Sequence, residues 1–244
     1  MRNLLLDALP SELYESLASR FERVSIKRGT VLHEPGSTIR HLYFPLSCLV
    51  SITITTPEGR TAETGVAGNR EMVGVNAFMG GSETTQTRYV VQIPGDAMKI
   101  ASQPLLEAFD ANKAVRDVLL RYTQAMIAQI SQNAACNRLH DLTQRYARWL
   151  LELRDRVHTQ DLSLTREFAA LMLGVRRATV SDISTHFEET GLITVQRGLT
   201  HITDSAGLER ASCECYRVLR DEHDRLLGRP DSKAASSSRL SGVS

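Results

Sequence analysis

Between Val175 and Glu189 the chain crowds together Arg176, Arg177, Thr179, Ser181 and Asp182, with Val180, Ile183 and Phe187 recurring among them at helical spacing. Wound as a helix, the apolar set turns inward and the polar set is left outside. Arg brings paired donors to a guanine edge, Asp accepts from cytosine, and Thr or Ser reaches either, so such a face suits the major groove of duplex DNA. The alternative is a helical hairpin whose polar side is merely solvated. Other chemistry is sparse. There is no nucleophile elbow, P-loop or dinucleotide fingerprint, and no enzymatic reaction is expected. The four cysteines, Cys48, Cys136, Cys213 and Cys215, are too few for a disulfide scaffold. Cys213-x-Cys215 falls on a predicted helix, where residues two apart point away from each other. No metal site and no cofactor is expected.

A helix that reads DNA must be held by others. Thr165 is a good N-cap for Arg166–Leu173, with Glu167 in the first turn. Gly174 stops that helix where the chain must turn sharply, and Gly191 ends the next one. Leu192–Val195 and Thr200–Thr203 are β-rich runs around Arg197-Gly198, a hairpin turn pair. Leu162–Asp204 therefore reads as helix, turn, helix and wing, and the wing favours DNA over a solvated hairpin. Before it, Leu142, Tyr146, Trp149, Leu150 and Leu153 mark an amphipathic helix over His140–Val157, with Arg145, Arg148 and Arg154 on its outer side, within reach of phosphate if DNA lies near. Beyond the wing, Ser205–Leu227 reads as one further helix. Gly228–Ser244 is rich in Ser, Gly and Ala with little to bury, and disorder is expected there.

The first half has a different character. Ser11–Phe21 reads as a short amphipathic helix. Val24–Lys99 then alternates β-branched runs with turn signals such as Glu34-Pro35-Gly36 and Pro57-Glu58-Gly59. Strand candidates are Val31-Leu32, His41–Phe44, Leu49–Thr55, Arg60–Thr64, Tyr89–Ile93 and Ala97–Ile100, a pattern of a β-barrel, sandwich or roll. Leu105–Asn137 returns to helix, and Asn137–Arg138 reads as a hinge. Val115, Val118, Leu119, Tyr122, Met126, Ile130 and Asn133 share one side of that helix; Leu120, Ile127 and Ala134 widen the arc to roughly 200°, about twice what one packed face needs. Such a helix should pack on two things at once, the candidates being its own β-domain and the same helix of a second subunit, since two-fold dimers are the commonest oligomers; the alternative is a helix buried inside one monomer.

The chain has 244 residues, 42% hydrophobic and 23% charged, which accommodates two modest domains with proper cores. A formal net charge of +1 leaves little bulk attraction for nucleic acid, so DNA contact must come from local charge. Neutral overall charge also keeps alive a rival reading, a small-molecule sensor whose winged helix mainly contacts a protein partner. No apolar run approaches a membrane span, and the start MRNLLLDALP lacks a signal-peptide layout. The expectation is a cytoplasmic protein with reduced thiols and no membrane partner.

Leu164-Thr165-Arg166, Gly174-Val175, Thr179-Val180 and Glu189-Thr190-Gly191-Leu192-Ile193 resemble the DNA-binding domain of the Crp/Fnr superfamily of bacterial transcription regulators. The likeness extends to a cyclic-nucleotide-binding-like β-roll upstream. It implies an α+β fold: an N-terminal, jelly-roll-like β-roll over residues 1–112, a long central dimerisation helix over 113–137, and a C-terminal winged helix-turn-helix with its extra helix over 138–228, followed by a disordered tail over 229–244. It implies double-stranded DNA and a second copy of the chain as partners, with RNA polymerase a further candidate. The expected dimer residues are Val115, Leu119, Tyr122, Met126 and Asn133. Thr165 and Arg166 would hold phosphate, while Arg176, Arg177, Thr179, Ser181 and Asp182 face the groove. The base-reading positions of the resembling regulators fall on Arg177, Ala178 and Asp182.

The same resemblance names the ligand pocket and questions it. Relatives that bind cyclic nucleotides carry Gly-Glu and then Arg followed by a small hydroxyl residue. Here Gly74 is followed by Val75, and the later pair falls on Thr85 and Gln86, with Arg88 close by. The purine-reaching positions fall on Ile130 and Ser131. A phosphate buried without its cation is very costly, so regulation by cyclic AMP is not expected and the effector stays unknown. Some relatives hold an iron–sulfur cluster on closely spaced N-terminal cysteines; no cysteine precedes Cys48 here.

Overall fold

A computed structural model describes residues 2–80 and 86–228. After two short helices, α1 (Leu4–Ala8) and α2 (Ser11–Leu17), come β1 (Glu22–Ile26), β2 (Val31–His33), β3 (His41–Pro45), β4 (Leu49–Thr55), β5 (Thr61–Ala67), β6 (Thr87–Ile93) and β7 (Gly95–Ala101). They form two antiparallel sheets, ordered β1-β7-β3 and β2-β6-β4-β5. Alternation decides the core: inward residues such as Ile26, Val50, Ile52, Tyr89 and Val91 pack together as one cluster. The β4–β5 hairpin pairs Thr55 with Thr61 across the Pro57-Glu58-Gly59 turn. β1 escaped sequence reading because its apolar positions are few and it lies mostly exposed at a sheet edge.

α3 (Ser102–Ala111) and α4 (Lys113–Leu139) replace the single predicted helix. Asn112 separates them, its side chain capping α4 by accepting from the backbone of Ala114 and Val115. α4 runs one residue past the predicted Asn137–Arg138 hinge; the break falls at His140 and Asp141, and Asp141 caps α5 (Leu142–Val157).

The faces of α4 meet different surroundings. Val115, Leu119 and Tyr122 are buried against the chain's own β-roll, and Tyr122 donates from its hydroxyl to the Met72 carbonyl at 2.8 Å. Met126 packs on the same cluster, and Asn133 donates from Nδ2 to the Thr64 carbonyl at 3.2 Å. Within one chain these five residues therefore face its own β-roll, Val115, Leu119 and Tyr122 fully buried there and Met126 and Asn133 half-buried. The outward face carries Leu120, Ile127 and Ile130, exposed at 50%, 53% and 38%.

The C-terminal half follows as β8 (Asp161–Leu162), α6 (Arg166–Leu173), α7 (Arg177–Glu189), β9 (Ile193–Gln196), β10 (Leu199–Ile202), α8 (Ser205–Ala211) and α9 (Cys215–Leu227). β10 pairs with both β8 and β9. Instead of one helix after the wing there are two, because the chain leaves helical geometry at Ser212. The expected disordered tail, residues 229–244, lies outside the described residues, as do residues 81–85. Among the described residues no helix is long and apolar enough to cross a membrane.

Both halves pack tightly where they meet. Leu49, Val66 and Ile93 of the β-roll share one apolar cluster with Trp149, Leu150 and Phe187. Beside it, the Glu63 carboxyl accepts from Trp149 Nε1 at 2.8 Å and from the Ser51 hydroxyl. Burial pushes Glu63 up to about 7. Arg156 lies 3.2 Å from Glu71 and 3.7 Å from Glu152, and Arg148 also pairs with Glu152. Charges buried this deeply persist only when paired, and of these pairs Arg156–Glu71 crosses from α5 to the β-roll.

Candidate nucleic-acid interface

α6 begins where Thr165 Oγ1 accepts from the Phe168 amide at 3.1 Å. It ends at Gly174, whose φ of 68° is the left-handed cap a side chain would strain. α7 then enters at a fixed angle. Its inner face is pinned: Val180, Ser184 and Phe187 are buried, the Phe187 ring stacks on Tyr146 at 5.8 Å, and Ser184 Oγ donates to the Tyr146 hydroxyl at 3.3 Å. The opposite face is open. Arg176, Arg177, Ala178, Thr179 and Asp182 are exposed and Ser181 is half-buried. Val180 and Phe187 lie inside as their spacing predicts, Ile183 and Ser181 are both half-buried, and Ser184, which the sequence reading does not name, is buried. Further along, Thr185 and His186 are exposed too.

Arg177 is engaged but not committed. Its Nε lies 2.7 Å from Glu167 Oε1, with both side chains mostly in solvent. An exposed pair of this kind contributes about 0–1 kcal/mol, less than a bidentate guanine contact. Among the described residues the ion-pair partner of Arg177 is Glu167, so Asp182 is not what orients it.

Other arginines are occupied. Arg166 pairs with Glu188 at 3.2 Å, and the second oxygen of Glu188 accepts from the Val195 amide at 2.9 Å. Arg166 thus braces α6, α7 and the wing while about a third of its side chain, 34%, stays exposed. The arginines of α5 also turn inward. Arg145 donates to the Leu173 carbonyl at 3.0 Å, Arg148 is buried on Glu152 and Asn133, and Arg154 pairs with Asp155 and the Tyr216 hydroxyl. None presents a free cation to phosphate. Arg197 is a candidate contact that the sequence reading does not name. It sits exposed at the wing tip with φ 46°, beside Gly198 at 80°. Two positive φ values make the twisted two-residue turn that hairpins favour. The Arg197-Gly198 pair was legible as a turn, not as a charge aimed outward.

The ligand candidates do not converge. Gly74 has φ 102°, and a Cβ there would lie 2.7 Å from Leu42, so glycine is required by packing. Val75 is buried in the same apolar cluster as Leu42 and Tyr122. Gln86 is exposed, and Arg88 reaches Glu34 at 2.9 Å on the surface. Ile130 and Ser131 lie on the outward face of α4. Thr85 lies outside the described residues. None of the described candidates lines the cavity at the junction of the two halves, which is bounded by Ile52, Val66, Glu71, Tyr122, Gln129 and Arg156. That cavity holds about 40 Å³, space for water more than for a nucleotide. Gln129 closes it on one side by accepting from the Val66 amide at 3.2 Å, against Gly65, where a Cβ would meet the same oxygen.

Two family models match the chain: a cyclic nucleotide-binding domain over residues 23–112 and a Crp-like helix-turn-helix domain over residues 144–211. The chain is 26% identical over 204 residues to a CRP-like cAMP-activated global transcriptional regulator of Mycobacterium tuberculosis, covering 80% of this chain and 90% of that protein. Among solved structures it is similar to FixK2 of Bradyrhizobium japonicum, with a TM-score of 0.68 at 14% identity over 79% of this chain and 98% of that one. It is also similar to a c-di-GMP-responsive global regulator of Xanthomonas campestris, with a TM-score of 0.63 at 17% identity over 80% and 100%.

Proposed function

We propose, because the chain belongs to the Crp/Fnr family of DNA-binding transcription regulators, that it grips a near-palindromic operator as a homodimer, with α7 in the major groove of each half-site. The observation that carries this reading is the division of α7, locked on Tyr146 inside and open outside at Arg176, Arg177, Thr179 and Asp182. Thr165 holds the start of α6 near phosphate, and Arg197 brings the wing to the backbone. The exposed stripe of Leu120, Ile127 and Ile130 joins two copies. Two reading helices related by a two-fold axis then face half-sites about one helical turn apart. Selection of genomic fragments by the purified chain tests this. Enrichment of an inverted repeat with that spacing is expected. Failure to enrich any sequence would instead favour a winged helix that contacts protein.

The same reading makes the chain independent of cyclic AMP, unlike its mycobacterial relative. Three observations support this: Val75 sits in apolar packing where a ribose-binding glutamate would be needed, Arg88 is paired outward with Glu34, and the junction cavity is small. Calorimetry should detect no binding of cyclic AMP or cyclic GMP at physiological concentrations. Micromolar affinity for either would overturn this part of the reading.

A further inference from the structure

The end of α4 and the start of α9 bring together four groups that nothing above uses. Cys136 lies in the last turn of α4 and His140 is the C-cap that follows it, its amide donating to the Cys136 carbonyl at 3.1 Å, so the two stand on one side of the helix end. Cys213 and Cys215 flank the point where α8 has ended and α9 begins. Because residues 212–214 are not in a regular helix, side chains two apart converge there, which sequence reading had excluded. All three thiols are buried. The four ligand atoms lie within 4.8 Å of one another.

Two of the spacings are those of neighbouring ligands in a tetrahedral set. Cys136 Sγ is 3.5 Å from Cys213 Sγ, and Cys215 Sγ is 3.6 Å from His140 Nδ1. Around zinc, sulfur at about 2.3 Å and nitrogen at about 2.0–2.1 Å stand about 3.5–3.8 Å apart. The surroundings match as well. Glu214 Oε1 lies 3.1 Å from His140 Nε2. That contact puts the ring proton on Nε2 and leaves the Nδ1 lone pair facing the thiols, as a carboxylate behind a ligating histidine does. Gln132 Nε2 donates to Cys215 Sγ at 3.0 Å, the kind of hydrogen bond that steadies a thiolate. A disulfide between Cys136 and Cys213 would leave Cys215, His140, Glu214 and Gln132 without a purpose. A cluster that divides its ligands between two irons needs a wider cage.

We propose that Cys136, His140, Cys213 and Cys215 bind one Zn(II) ion per chain. With three thiolates and one imidazole the set is closed and structural, since no position is left for water or substrate. The ion ties the last turn of α4 to the extension that follows the wing, clamping the DNA-reading half to the long helix across the His140–Asp141 break.

The test uses the full chain, purified under reducing conditions without a metal-affinity tag. One equivalent of Co(II) should give thiolate-to-cobalt charge transfer and the visible bands of tetrahedral cobalt, and one equivalent of Zn(II) should abolish both. X-ray absorption of the zinc form should show three sulfur neighbours and one nitrogen. Cys136→Ser and Cys215→Ser should lose the ion, while His140→Cys, which keeps four tetrahedral ligands, should retain it. The spectra of the unaltered chain decide the matter even where a variant fails to fold. Octahedral cobalt, zinc surrounded only by nitrogen and oxygen, or a Cys136–Cys213 disulfide that forms with zinc in excess would overturn the proposal.

Discussion

A chain carrying Leu120→Glu and Ile127→Glu should sediment as a monomer and bind its operator roughly 10²–10⁴-fold more weakly, the loss expected when two linked reading heads become one. The reasoning rests on what α4 has left over. Val115, Leu119 and Tyr122 are consumed by the β-roll, so a charge at Leu119 would unfold the domain and say nothing of the seam. Leu120 and Ile127 are half-exposed and stand one heptad apart, the repeat that brings helices together along a shared stripe. At a two-fold axis each meets its own copy. Glutamate at both positions places like charges face to face in an apolar seam while disturbing nothing buried in the monomer. Circular dichroism of the double variant should match the parent. A parent that sediments as a monomer at micromolar concentration, or a double variant that stays dimeric, would remove the dimer from the account.

Much of this protein is legible in its sequence where the signal is local. Thr165 as a cap, Gly174 as a stop, the β4–β5 hairpin around Pro57-Glu58-Gly59 and the Arg197-Gly198 turn each depend on a few adjacent residues, and each stands where its chemistry requires. The width of the apolar arc on α4 was readable too, and with it the need for two packing partners. Which side met which partner was not, because that depends on the β-roll residues that bury Tyr122 and on the Thr64 carbonyl that holds Asn133. For the same reason the arginines of α5 look solvated in sequence, yet find Leu173, Asn133 and Tyr216, residues distant along the chain. The Cys/His cluster was hidden twice over. Cys136 and Cys213 are 77 residues apart, and Ser205–Leu227 has a continuous helical pattern that conceals the break at Ser212.

The second large effect belongs to Arg177, the residue on which the reading of bases turns. Its guanidinium must exchange Glu167 for guanine O6 and N7, and the exposed pair it gives up is weak. Arg177→Ala should therefore cost roughly 1–3 kcal/mol on the selected operator and relax the preference for guanine at one position of each half-site. On random DNA, where no base edge is matched, the loss should be far smaller. Arg197→Ala at the wing tip supplies the contrast. As a phosphate contact it should weaken both DNAs about equally and lower the salt slope by about one. The neighbouring Arg166→Ala should act through folding, because Arg166 braces Glu188. The most direct measurement is thus the affinity of parent, Arg177→Ala and Arg197→Ala chains for operator and random DNA across a salt series. The account predicts that Arg177→Ala loses affinity chiefly on the operator and Arg197→Ala on both alike. Equal losses on the two DNAs for Arg177→Ala would mean that α7 does not read the bases, and would contradict it.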